Sequence, residues 1–523
     1  MKHRVAIVGG GMTGTACFVA LAGRARALIS EVRVYDPHGI AAGPGFNTAS
    51  TSLLANTSIG VTSMVAGDSD HLLRWLRGQP DLCRVHDVDP NALTRSSFVP
   101  RGLIRCYAIA LFHEACETLD NFGVDQSLIH QKVTDLEPDD GAALLHLDDG
   151  SIETADTVIL CTGTGRNRRF DHLLGNRHFV PSIYPEPELI TKASAASNIL
   201  IIGSKQSAID AAILTSETTP LCNIVMLAPS GALPSVRSEL IEYPPAVFSS
   251  GSVRASAIDA AGLLETVERL ATEEITRCYS DHGLHLDRER FLRSPDRRAH
   301  QQLRQDFFES RLYENKWQYA IGSLITQANL LWSDLNSDER RAFHQRFKTF
   351  ISRYVSSIPE RNAEKIIGLL DAGRLNVLRL EERLAIEPVE GGLAARFNDG
   401  VRRFDLVINA TGVETGVRAG GALLDRLVNR LGGSLINEFG GLEVEPETMR
   451  LIPEKTNWPR LYGAGPLING SLLVTNYVNA SVRQADMIAT DFISGHASST
   501  DEWPVLPEST LLGAASTKPI SQL

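Results

Sequence analysis

Arg4-Val-Ala-Ile-Val8-Gly9-Gly10-Gly11-Met12-Thr13-Gly14 is a short apolar run that breaks into spaced glycines. Arg4 to Val8 predicts a buried strand, and Thr15 to Ala22 predicts a helix. Between them each glycine serves a different end. Gly9 permits a tight turn, Gly11 lets a pyrophosphate approach the backbone, and Gly14 lets helix and strand pack closely. The helix start offers free N–H groups and the positive end of a dipole to phosphates. Glu31 to Tyr35 predicts the next strand, ending at Asp36. An acid about 20 residues beyond the glycines suits the ribose hydroxyls of an adenosine. The order strand, glycines, helix, strand, acid predicts a dinucleotide-binding unit. Asp156 to Leu160 predicts a strand by which the chain leaves this unit, through Cys161-Thr162-Gly163; Cys161 reads as a small core residue.

A second unit of the same form follows. Ser197 to Ile202 predicts a buried strand, and Gly203-Ser204-Lys205-Gln206-Ser207-Ala208 leads into a helix. Here Lys205 stands where a middle glycine would be, so its side chain either obstructs a pyrophosphate or pairs with it. The next strand, Asn223 to Leu227, ends in Ala228-Pro229-Ser230. It has neither the acid that favours NADH nor an adjacent arginine for a 2′-phosphate, and Arg237 is the nearest cation. Far downstream, Asp405 to Gly412 reads as a buried strand, and Arg460 to Leu467 as a strand with a glycine-rich turn. Both are expected to return to the first cofactor, with a helix from about Ala480 to Ile493 whose dipole would favour negative charge on a reduced flavin.

The chain has 523 residues, 43% hydrophobic and 22% charged, which are ordinary proportions for a folded protein of several domains. The net charge of -11 comes with no long basic run, which argues against nucleic acid. No apolar run reaches the ~18 residues of a membrane span, and no leader is expected ahead of the first strand. Seven scattered cysteines without a Cys-x-x-Cys pair read as reduced thiols in a cytoplasmic protein and remove the flavin-linked disulfide reductases from consideration. His282 and His285 lack a clear third ligand, so no metal site is expected.

The chain resembles the FAD/NAD(P)-binding flavoproteins of the class B monooxygenase type, which include the amino-acid N-hydroxylases, and more closely a bacterial FAD/NAD(P)-binding subfamily. The stretches that carry the resemblance are Val8 to Gly14, Gly43 to Phe46, Leu53 to Asn56, Phe98 to Arg101, Gly203 to Ala212, Gly231 to Pro234, Tyr462 to Gly470 and Arg483 to Ala485. It implies FAD as cofactor, with NADPH or NADH as reductant. The expected fold is α/β, two Rossmann-like dinucleotide-binding domains with a mostly helical insert. Residues 1–190 and 401–495 form the FAD-binding domain; 191–240 and 375–400 the NAD(P)-binding-like domain; 241–374 the insert; and 496–523 a C-terminal tail. Leu263 to Glu274 and Leu303 to Leu312 have helical spacing in the insert. Its aromatics Phe307, Phe308, Tyr313, Trp317 and Tyr319 either line a pocket or pack a core. Arg297 and Arg298 read as surface charges.

Cofactor contacts are expected at Gly9, Gly11, Met12, Thr13, Gly14, Asp36, Val133, Thr162, Gly163, Gly203, Lys205, Gln206, Ser207, Gly465, Leu473 and Thr475. Asn56 and Arg101 are the candidate catalytic residues. Asn56 either hydrogen-bonds to flavin or an oxygen intermediate or merely forms a turn. Arg101 either binds flavin phosphate or a substrate carboxylate or makes an ordinary ion pair. Three functions are open: an NAD(P)H-using monooxygenase acting on a small molecule with molecular oxygen through a C4a-(hydro)peroxyflavin, N-hydroxylation included; a dehydrogenase or oxidase whose organic substrate reduces the flavin; and a flavin-binding protein without turnover. The sequence leaves the oligomeric state open.

Overall fold

A computed structural model describes residues 2–496 except 230, 240, 242, 257–259, 289–290, 292–298, 381–383, 398–399, 433–434 and 452–457. The tail and Arg297 and Arg298 lie outside the described residues.

The first unit is a five-stranded parallel sheet in the order Arg460–Gly463, Thr157–Leu160, His3–Val8, Ile29–Tyr35, Asp125–Ile129. The apolar runs Val5 to Val8 and Val158 to Leu160 at its centre are buried because helices cover the sheet, whereas Ile29–Tyr35 alternates apolar with polar residues. Met12–Arg24, Arg101–Asn121 and Val478–His496 pack into one core with it. The opening turn follows the expected division of labour. Gly9 has a φ of +106°, a left-handed conformation that favours glycine, and a Cβ there would stand 2.2 Å from the Cys161 carbonyl oxygen. A Cβ at Gly14 would stand 1.8 Å from the Gly9 carbonyl oxygen. Beside this unit lies a three-stranded antiparallel sheet, Val133–Asp139, Ala142–Leu147 and Ile152–Ala155.

The second unit repeats the plan, in the order Leu375–Arg379, Asn223–Ala228, Asn198–Ile202, Leu406–Asn409, Phe179–Val180, all parallel. Gln206–Thr218 and Glu360–Asp371 cover it. This arrangement corrects two expected boundaries. Leu406–Asn409 pairs with Asn198–Ile202, so it closes the second sheet and does not return to the first. Residues 386–404, split at 400 between the two expected domains, join neither parallel sheet; they form a separate antiparallel one of Ile386–Val389, Gly392–Phe397 and Gly400–Phe404. The strand that does return to the first unit is Arg460–Gly463. The helix Glu360–Asp371 also belongs to the second unit, which shortens the insert at its C-terminal side.

The insert is helical, as its periodicity predicts: Ser250–Ser256, Ala260–Asp281, Ala299–Arg311, Trp317–Trp332 and Ser337–Phe350. It has its own apolar core, in which Trp317 and Trp332 are buried. Its aromatics do not converge on one pocket: Trp317 and Tyr319 are buried, while Phe308 and Tyr313 are exposed. Among the described residues no group of histidines, cysteines and acids forms a metal site, and His282 gives its Nδ1 to the Cys278 carbonyl at 2.7 Å. No described helix is long and apolar enough to cross a membrane.

The Gly14 contact makes a direct prediction. Gly14→Ala forces the opening helix off its strand and should lower unfolding stability by more than about 2 kcal/mol, in the range of steric changes within a core. Urea denaturation of the variant measures this, and an unchanged midpoint would contradict the packing described.

Candidate functional site

The first crevice is built where three elements meet. The opening helix starts at Met12, with Met12 and Thr13 both buried. The Thr13 hydroxyl lies 2.9 Å from that of Ser481 on the last helix. Gly465, at a φ of +74°, presses against Thr13, whose Oγ1 would lie 2.7 Å from a Cβ there. The Gly465 N–H donates to Gln484 Oε1 at 2.7 Å.

The turn fits a dinucleotide's pyrophosphate. A Cβ at Gly11 would meet nothing within 4 Å, and the same holds at Gly163, whose φ is +74°. The backbone is therefore bare toward open space at the two positions where a phosphate chain would need to come close. Thr162 Oγ1 and Gln484 Nε2 are buried without a partner among the described residues, as donors awaiting a ligand would be. Asp36 accepts from the Gly10 N–H at 2.7 Å and the His38 N–H at 2.8 Å. Each carboxylate oxygen keeps a free lone pair, so two ribose hydroxyls can still be taken. Val133 is buried at the start of the neighbouring antiparallel sheet. Leu473 and Thr475 lie on the segment before the last helix, Thr475 buried and Leu473 packed against the insert core.

Arg101 requires a correction. It is not open to flavin phosphate or substrate, because its guanidinium is buried and fully engaged. Nη2 lies 2.6 Å from Asp210 Oδ2, Nε donates to the Leu54 carbonyl at 3.1 Å, and Nη1 donates to the Tyr184 hydroxyl. Tyr184 in turn donates to Asp210. Burial disfavours the charge on Arg101, but the Asp210 carboxylate and Tyr184 outweigh it and hold the guanidinium protonated. Burial raises the Asp210 pKa even beside that charge. Since Arg101 belongs to the first unit and Asp210 to the second unit's helix, the ion pair ties the two units together. A more exposed contact lies beside it, where Glu217 accepts from Ser52 at 2.8 Å and from Lys365 at 2.7 Å.

Asn56 follows Leu54, whose carbonyl takes the Arg101 Nε–H. It is half-buried, just past the isolated bridge from Leu54 to Pro100, and its side chain has no hydrogen bond among the described residues. The geometry leaves it available without assigning it a role. Cys161 is a core residue, but the structure adds a neighbour that sequence spacing hid: its sulfur lies 3.9 Å from that of Cys17. Both thiols are buried under the glycine turn, and the contact with Cys17, then burial, push the Cys161 pKa up, which makes the thiol inert.

At the second turn Gly203 has a φ of +130°, with a Cβ position 2.3 Å from the Ala410 carbonyl oxygen. Lys205 starts the helix with its side chain exposed, and Ser207 is half-buried. Gln206 is not free: its Nε2 donates to the carbonyls of Ser356 at 2.7 Å and Ser357 at 2.8 Å. That role was invisible to sequence reading, since the partners arrive from the far end of the insert. The insert also reaches the first unit, where Trp332 Nε1 donates to the Gly470 carbonyl at 2.6 Å and Tyr477 donates to the Val355 carbonyl at 3.1 Å. It thus walls the space between the two units.

Residues 6–165 match a family described as FAD-NAD(P)-binding. The ornithine hydroxylase PvdA from Pseudomonas aeruginosa has the same fold, with a TM-score of 0.59 at 16% identity over 95% of this chain and 100% of PvdA. L-lysine 6-monooxygenase from Pseudomonas syringae superposes with a TM-score of 0.54 at 14% identity, over 95% of this chain and 100% of its own. The first unit thus matches an FAD-NAD(P)-binding family, and the chain as a whole shares the fold of these two hydroxylases. In sequence it is similar to the Escherichia coli (strain K12) protein named "Uncharacterized protein YdhS", 25% identical over 455 residues that cover 78% of this chain and 83% of that protein.

Two substitutions probe this geometry. Gly11→Ala puts a methyl into open space, so it should leave stability unchanged and weaken FAD alone; thermal melting of the flavin-free protein and flavin titration separate the two effects. Arg101→Met strands a buried carboxylate and should cost about 3–5 kcal/mol. Adding Asp210→Asn should restore part of that loss, and denaturant unfolding of the two variants checks it.

Proposed function

We propose that this chain is an FAD-dependent oxidoreductase that is reduced by NADPH or NADH and uses molecular oxygen to oxygenate a small substrate at a nucleophilic atom, with N-hydroxylation of an amine as the leading case. The observation that carries the reading is the pairing of two dinucleotide folds across one walled crevice. The first turn is bare at Gly11 and Gly163, and the second is available at Lys205.

FAD, when bound, supplies the redox chemistry by accepting a hydride equivalent and passing electrons to oxygen. The protein's part is placement, electrostatics and dryness. The Gly9 to Gly14 turn and Asp36 would hold the ADP half of FAD, and Gln484 and the start of the last helix would face its other half. Asn56 offers an uncommitted amide as donor and acceptor. The insert, with Trp332 and Phe439 in aromatic contact at 5.8 Å, excludes water from the crevice, which oxygen chemistry needs if it is not to be wasted in side reactions. The ornithine and lysine hydroxylases of the same fold support the choice of an amine as substrate class.

Cysteine chemistry is not part of the reading. Cys17 and Cys161, the one sulfur–sulfur contact among the described residues, lie buried beneath the phosphate turn, where the Cys161 thiol is held protonated.

Rapid anaerobic mixing tests the proposal. NADPH or NADH should bleach the yellow protein, and admission of oxygen should restore the colour. Bleaching by an organic substrate but by neither nicotinamide would replace this reading with that of a dehydrogenase or oxidase. A protein that takes up no flavin would end both.

A further inference from the structure

Lys205 occupies the position where a dinucleotide turn ordinarily bares its backbone. Its side chain keeps phosphates from approaching the turn closely, so a ligand there must be held some distance off and gripped from the other side as well. The insert supplies that other side. Its helix Ser337–Phe350 places His344 and Lys348 one turn apart on a single face. The helix runs through the turn Ile351–Val355 into Ser356 and Ser357, the two carbonyls that take the Gln206 amide. The insert is therefore fastened to the residue next to Lys205. The His344 ring lies 5.4 Å from that of Phe439, on the segment preceding the strand that returns to the first unit. The tether at Gln206 thus brings the insert helix up to the second turn, with Lys205, His344 and Lys348 near enough to feel one another's charge.

The charge balance there is one-sided. No described carboxylate pairs with Lys205 or Lys348. Lys205 is exposed by area but recessed among protein atoms, and this desolvation, then Lys348, lowers its pKa. Desolvation lowers the His344 pKa too, followed by Lys348 and Lys205, which leaves a neutral imidazole as a hydrogen-bond donor at pH 7. Recessed like charges without a counter-charge raise the local positive potential and attract an anion.

We propose that Lys205, Lys348 and His344 form a phosphate-binding site for the nicotinamide dinucleotide, closed by the insert in place of the missing middle glycine. The inference rests on the nicotinamide-dependent reading above and adds to it the residues that take the reductant's phosphates. It also accounts for the second unit's lack of an acid or adjacent arginine after Asn223–Ala228, because the recognition charge comes from another part of the chain.

Calorimetric titration of the flavin-loaded protein with two fragments tests it. ADP carries a pyrophosphate, and adenosine 2′,5′-bisphosphate carries the 2′-phosphate of NADPH. Lys348→Ala and Lys205→Ala should each weaken one or both fragments on the order of ten-fold and flatten the salt dependence, and the fragment that loses more identifies the phosphate held. The flavin spectrum and melting temperature should stay as in the unmodified protein, since both side chains are exposed. The inference is overturned if both variants bind both fragments as before, if Lys205→Ala binds more tightly, or if the unmodified protein binds neither. Bleaching by NADPH or NADH in any of those cases would show that the proposed function stands without it, whereas failure of both nicotinamides to bleach the flavin would sink that function as well.

Discussion

A guanidinium and a carboxylate removed from water attract each other strongly and tolerate little displacement, because the medium around them cannot screen a misplaced charge. Arg101 and Asp210 are such a pair, with the Arg101 side chain 10% exposed and that of Asp210 fully buried. They connect the start of one unit's long helix to the middle of the other unit's phosphate-turn helix. Tyr184 bonds to both, from the connection between the units. Glu186, two residues on, is also buried and accepts from the Thr48 hydroxyl at 2.6 Å. The relative orientation of the two dinucleotide folds, on which any hydride transfer between their ligands depends, is thus held by directional polar contacts. Greasy contacts alone would allow sliding; directional buried ones do not.

The insert completes what the pair begins. Two open α/β sheets facing each other leave a crevice accessible to water from the side. The insert brings its own apolar core, and it packs Leu303 into the second unit's core while Leu473 and Tyr477 of the first unit pack against its own. It is fastened at both ends of its reach, by Gln206 to the second unit and by Trp332 to Gly470 in the first. A wall held at two points on different units has its position across the gap fixed from both sides. That arrangement explains why the segment is long, helical and aromatic, and why a residue of the second turn is spent on holding it.

The first dinucleotide unit was readable from its residues because its determinants are local. A buried strand, three glycines, a helix and a terminal acid fall within Arg4 to Asp36, and the steric need for glycine at Gly9 and Gly14 arises between neighbours in that span or with the adjoining strand. The second unit was readable for the same reason, Lys205 included. The helical character of the insert followed from its periodicity.

What the sequence by itself determined, then, is every feature encoded by spacing along a short stretch: the two turns, the acid after the second strand, and the helical wall. The tertiary structure alone decided which sheet receives Leu406–Asn409, since an apolar strand is equally buried in either and only its hydrogen-bonding neighbour tells them apart. It alone decided that Arg101 is a clasp, that Cys17 meets Cys161, and that Gln206 serves the insert. In each case the partner lies far along the chain, and a charge, a thiol or an amide carries no mark in its own neighbourhood of the group that folding will bring to it.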